Sequence, residues 1–245
     1  MLLNDTPLEE DITFDKYKMV RKYRVVPRGY GIYFDNRILE IERVCVQTKD
    51  LSFEDYVFLR GFHFVINSFY NSDVFHEMIN YLKSIDISIY KWLFKIHESL
   101  REDGGEAGEL YMSFLEETRS ELWNSKEELL IYYDQDDNYQ KLIDEVCGAN
   151  LLQKYYALFL LNIKPFISLV DRVTEKNYHL VNNNIVKDIL KFSLLKRGNI
   201  FDDSLYEVVE EFGYDLLEYS RKERDDGIAN IIKKKIVLKF YVDEE

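Results

Sequence analysis

The stretch KYRVVPRGYGIYFDNRILEIERVCVQTKDLSFEDYVFLRGFHFVI (residues 22–66) contains the change of period that decides the fold. YRVV, YGIYF and RILEIERVCV are rich in β-branched and aromatic residues and are separated by turn signals, which predicts a hairpin. Asp35-Asn36 is the expected turn between 31–34 and 37–41, and Pro27 belongs at an edge or bend because it has no N–H for a ladder. Ser52 then precedes Phe53-Glu54-Asp55, an N-cap with acids in the first turn. Tyr56, Leu59, Phe62 and Ile66 recur at helical spacing beyond it.

Residues 1–22 read as an edge or linker, and 23–245 as a mostly helical region with a β-rich start. Further helices are expected from Asp73, with Phe75, Met78, Ile79 and Leu82 inward, and from Ser88, with Trp92, Leu93 and Ile96 inward. The three glycines in 102–108 suggest a mobile loop and a subdivision there. Helical patterns follow over 110–123, after the Ser125/Glu128 capping box, and over 139–161, where Gly148 is expected inside the helix. Pro165 interrupts that run, and 166–173, 184–195 and 204–219 supply three more candidates. In KIVLKFYV (235–242), Ile236, Leu238, Phe240 and Val242 alternate onto one strand face. The expected class is α+β, predominantly helical, with a short β-rich amino-terminal region and a carboxy-terminal strand. Pairing of that strand with the early ones would close one unit. No internal repeat has a usable period.

Apolar residues form 47% of the 245-residue chain, enough for a substantial core. A formal net charge of −13 disfavours a broad nucleic-acid-binding surface, which must attract phosphates. The basic runs at 221–224 and 233–235 read as solvated faces. Cys45 and Cys147 form no metal motif and fit reduced, near-core thiols in a cytoplasmic protein. No signal peptide is recognised at the start, and the apolar run 158–163 falls far short of a membrane span.

Chemistry-bearing residues are scattered. Among His63, His76, His97 and His179, His63 sits between two phenylalanines and reads as a semi-buried structural histidine before it reads as a catalyst. His76-Glu77 lacks a second histidine at zinc-site spacing. The acid pairs Glu9-Glu10, Glu116-Glu117, Asp136-Asp137 and Glu210-Glu211 are too common to mark a site, and Ser52, Ser68 and Ser125 lack a nucleophile-elbow context. Arg28-Gly29-Tyr30-Gly31 has neither dinucleotide nor phosphate-loop spacing. Arg24 and Arg28 are placed to meet an anion or an acidic neighbour. Arg28 is the better functional candidate, since Pro27 and Gly29 set the chain direction around it.

YRVVPRGYG (23–31) and ILEIERVCVQTKDLSFEDYVFLRGFHF (38–64) resemble the segment that follows the barrel in cobalamin-binding radical-SAM proteins. MLLNDTP and KYKM resemble the barrel exit, and the similarity resumes at CGANLLQKYYALFLL (147–161). In that family a C-x3-C-x2-C triplet holds an iron–sulfur cluster beside a cobalamin domain. Cys45 and Cys147 do not make the triplet. The resemblance therefore implies a noncatalytic accessory or partner subunit that covers or braces the barrel of a separately encoded radical-SAM-like protein. Cofactors are then none in this chain, with iron–sulfur cluster, S-adenosylmethionine and cobalamin in the partner, and peripheral membrane contact is left open. No catalytic, cofactor-binding or metal residue is assigned. The alternatives are an independent helical protein-binding or regulatory module and a stand-alone enzyme, which would need Arg28, His63 and a carboxylate in one cavity.

Overall fold

Val20–Tyr33 (β1) and Asn36–Gln47 (β2) form an antiparallel hairpin in a computed structural model that describes residues 6–8, 10–180, 184–197, 207–221 and 231–241. The pairing runs from Val20↔Gln47 to Tyr33↔Asn36 and is interrupted between Val25 and Tyr30, where Pro27 sits in a bulge. The expected turn lies one residue too late. Phe34 and Asp35 are the turn residues, with φ of 49° and 64°, as a two-residue type I′ turn requires. The Asn36 side chain instead donates to Phe34 O (3.0 Å), steadying the turn from outside it.

Phe34 is 98% exposed in a backbone conformation that penalises a bulky side chain. Phe34→Asn is therefore expected to stabilise the protein by about 0.5–1 kcal/mol, read as a higher urea midpoint at constant m-value. A lower midpoint would show that the exposed ring contributes a contact outweighing the turn strain.

The order of elements continues with α1 (Asp11–Tyr17) ahead of the hairpin and, after it, α2 (Phe53–Val65), a π-helical segment Ile66–Asn71 and a 3-10 turn Asp73–Phe75. Next come α3 (His76–Ser84), α4 (Ile89–Glu102), α5 (Glu106–Ser120), α6 (Lys126–Asp134), α7 (Asp136–Ile143), α8 (Leu151–Leu161), α9 (Ile163–Tyr178) and α10 (Asn184–Arg197). β3 (Glu207–Phe212), α11 (Leu216–Ser220) and β4 (Ile236–Tyr241) complete an α+β fold that is predominantly helical. Ser88 and Ser125 cap α4 and α6 by accepting the N–H groups of Lys91 and Glu128. Among the described residues no helix is long and apolar enough to cross a membrane.

The described residues divide into two compact units, one within Met1–Gly61 and Ser113–Tyr155, the other within Phe62–Met112 and Tyr156–Glu245. In the first, one face of the hairpin brings Val25, Tyr30, Leu39 and Ile41 against Leu129, Tyr133, Tyr139 and Leu142 of α6 and α7. Strand alternation sends Val44 and Val46 to the opposite face, where they meet Leu122, Phe53 and Tyr56. The β1 edge is covered by paired backbone bonds between Tyr23 and Trp123. The Tyr139 hydroxyl lies 2.7 Å from Gly31 O and 2.8 Å from Ile38 O, fixing the two strands just behind the turn.

Gly148 lies outside any helix. α7 ends at Ile143 and α8 begins at Leu151; between them Gly148 takes φ 74°, and a Cβ there would lie 2.6 Å from Leu142 and 2.7 Å from the Tyr30 ring. Its carbonyl accepts the Arg28 N–H (3.1 Å).

The second unit is built on packed rings: Phe69 stacks on Phe75 (5.2 Å) and meets Phe159 at a tilt (5.3 Å), and Phe159 meets Phe166 edge to face (4.8 Å). Trp92 of α4 is fully buried and donates through Nε1 to Thr174 Oγ1 of α9 (3.1 Å), tying the two helices together. Pro165 falls in the first turn of α9, where its missing N–H costs no helical bond. The expected helix over 204–219 is corrected: 204–206 lie outside the described residues, 207–212 are strand β3, and only 216–220 are helical. β4 forms as expected but pairs with β3, from Glu207↔Tyr241 to Phe212↔Ile236, and not with the amino-terminal strands. Phe192, Phe212 and Phe240 seat this ribbon on α10 at 5.9–6.1 Å.

Candidate functional site

The two arginines of β1 have different fates. Arg24 shares a face with Glu42 through the ladder and reaches both Glu42 (Nε to Oε1, 2.5 Å) and Glu121 (Nη1 to Oε1, 2.6 Å). Side-chain exposure is 21% for Arg24, 5% for Glu42 and 18% for Glu121, so these charges are largely withdrawn from water. Burial pushes the Glu121 carboxyl above the ordinary carboxylate range, against the pull of Arg24 and Arg60. For Arg24 burial disfavours the charge, but Glu121 and Glu42 prevail and its pKa is raised. This cluster is internal scaffolding, the acidic-neighbour outcome for Arg24. Arg28 is exposed, with φ 61°, in the bulge, and its backbone rather than its side chain makes the contact to Gly148.

The expectation of a semi-buried His63 is corrected. The buried residues of α2 are Val57, Gly61, Phe64 and Val65, and helical geometry turns His63 outward, where it is exposed. Arg28 belongs to the first unit and His63 to the second. His76 Nε2 pairs with Asn80 (3.0 Å) at the start of α3, and His179 caps α9 in a left-handed conformation. His97 is fully buried among Phe62 (5.4 Å), Phe94 (6.2 Å) and Tyr111 (5.8 Å), and desolvation, with a lesser effect of Arg101, pushes its pKa down to about 4.

Of the four acid pairs, Glu9 lies outside the described residues, and members of the other three form ion pairs. Glu117 accepts from Lys154 (2.7 Å) and the Tyr155 hydroxyl (2.8 Å), Asp136 takes Arg37, and Glu210 and Glu211 take Lys191 and Lys235. Ser52 exchanges hydrogen bonds with Asp55 at the start of α2, as a cap should. Among the described residues no group of three or more His, Cys, Asp or Glu is placed to hold a metal.

A concave feature of the second unit lies where the end of α4 faces α9. Ser99, Glu102, Asp103, Leu169, Arg172, Val173 and Lys176 line a cleft of about 270 Å³. Leu169, Arg172, Val173 and Lys176 share one helical face at spacings of three and four. Arg172 Nη2 lies 2.8 Å from Asp103 Oδ1, and Asp103 Oδ2 accepts the N–H groups of Gly105 (3.3 Å) and Gly108 (3.1 Å). The glycine-rich segment is therefore a short pinned turn. A Cβ at Gly108 would lie 2.0 Å from Asp103 O, so only glycine lets the chain pass.

No family model and no curated protein matches this sequence. The radical-SAM, cobalamin-associated and protein-interaction labels suggested by 23–31 and 38–64 thus find no match and are corrected: none of them is attributed to the chain.

The two thiols are unpaired with each other and half-buried; Cys147 Sγ lies 3.6 Å from the Tyr133 hydroxyl and Cys45 Sγ 3.4 Å from Gln47 O. Sequence reasoning missed Asp103 and Arg172 altogether. The only local signal was Asp103 standing ahead of three glycines, since Arg172 is 69 residues away.

Proposed function

We propose that the chain is a noncatalytic regulatory module that binds a small charged molecule in the cleft between α4 and α9. The observation that carries the reading is the fixed cation Arg172. Its side chain is 61% exposed, yet its guanidinium is held by Asp103, which is itself held by two backbone N–H groups. A charge positioned before the ligand arrives loses less freedom on binding, which favours affinity. Lys176 adds a second cation one turn along the same helix face. The half-buried free thiols Cys45 and Cys147 suit a reducing, cytoplasmic setting, which forms part of the same proposal.

Thermal unfolding of the full chain against a panel of anionic and zwitterionic metabolites tests the reading. A true ligand at 100 times its Kd adds about 2.7 kcal/mol of stability. Arg172→Gln is expected to lower its affinity about tenfold through loss of a charge-assisted contact. Equal responses of wild type and Arg172→Gln to every compound would refute the assignment of this cleft.

A further inference from the structure

Four charged side chains line the cleft, and they are not equally engaged. Arg172 and Asp103 neutralise each other at 2.8 Å. Glu102 and Lys176 make no hydrogen bond or ion pair among the described residues; Glu102 ends α4, and Lys176 stands on α9. Glu102 acts at a distance on Lys95 of its own helix, and across the cleft the field is positive at α9 and negative at α4. A simple anion drawn to Lys176 also faces the carboxylates of Glu102 and Asp103, and a simple cation drawn to Glu102 faces Lys176 and Arg172. A molecule carrying both charges satisfies both walls.

We propose that the cleft takes a small zwitterion of the α-amino-acid type, its carboxylate on Lys176 and Arg172 and its ammonium on Glu102. This inference rests on the cleft being a binding site, as proposed above.

The test is amide NMR on the full chain titrated with L-leucine, with 4-methylpentanoate, which lacks the ammonium, and with 3-methylbutylamine, which lacks the carboxylate. L-leucine is expected to shift amides within 99–105 and 169–176 and to bind about tenfold more tightly than either analogue. Glu102→Gln should erase its advantage over 4-methylpentanoate, and Lys176→Gln its advantage over 3-methylbutylamine. Both side chains are exposed, and the spectrum itself reports whether each variant is folded. If 4-methylpentanoate binds the cleft as tightly as leucine, the zwitterion assignment is overturned while the cleft remains a site. If neither these compounds nor inorganic phosphate moves the cleft amides, both proposals fall.

Discussion

Arg24→Ala is expected to cost about 3–5 kcal/mol, because it leaves Glu42 and Glu121 buried beside each other without the guanidinium that joins them. The side chains of these acids are only 5% and 18% exposed, so water does not replace the lost partner. Replacing the whole cluster with neutral groups, Arg24→Met with Glu42→Gln and Glu121→Gln, should recover most of the loss, since the cost lies in uncompensated charge. The deficit must also depend on pH. Glu121 already titrates above the ordinary carboxylate range, and Arg24 and Arg60 are the charges that pull it back down. A group with a raised folded pKa contributes stability at pH below its unfolded value and loses that contribution as pH rises through the folded value. Removing Arg24 raises Glu121 further, so the variant should lie closest to wild type near pH 4 and furthest from it near pH 8. Urea unfolding at both values measures this; a loss below about 1 kcal/mol at pH 8, or one equal at both, would show that the cluster is solvated in solution.

That cluster marks the boundary of what the chain reveals before folding. The hairpin was legible from its β-rich runs, and the starts of α2, α4 and α6 from Ser52, Ser88 and Ser125, because these signals act within a few residues. Arg24 was legible as an arginine seeking an acid, but Glu42 and Glu121 lie 18 and 97 residues away, and nothing local selects them. The turn escaped by one position because Phe34 adopts a left-handed backbone that its side chain disfavours, while Asn36, the better turn residue, serves from the flank. β3 was hidden for a different reason. Leu205, Val208, Val209 and Phe212 fall at helical spacing, yet pairing with β4 puts Val208, Glu210 and Phe212 on one side and leaves Val209 59% exposed. A partner strand overrides local period in so short a segment. The cleft was illegible for the same reason as the Arg24 cluster, because its fixed cation depends on an aspartate far away in the chain.

His97 carries the second large effect, and it acts at the opposite end of the pH scale. Its imidazole is fully buried among Phe62, Phe94 and Tyr111, and desolvation pushes its pKa to about 4 from an ordinary value near 6.5. A base whose folded pKa is depressed stabilises the fold above its unfolded pKa, and that contribution is lost as pH falls from about 6.5 towards 4. The loss amounts to on the order of 2–3 kcal/mol, since protonation requires either a buried charge or local opening of the ring cage. His97→Phe keeps an aromatic ring in the cage and removes the titration; His97→Leu does so with less volume, guarding against overpacking. Urea unfolding free energies followed from pH 7.5 to 4 are expected to fall less steeply for both variants than for wild type. The carboxylates elsewhere titrate in wild type and variants alike, so they cancel in the difference. Parallel curves across the range would mean that His97 protonates without cost, which the burial of its ring among three aromatic neighbours does not allow.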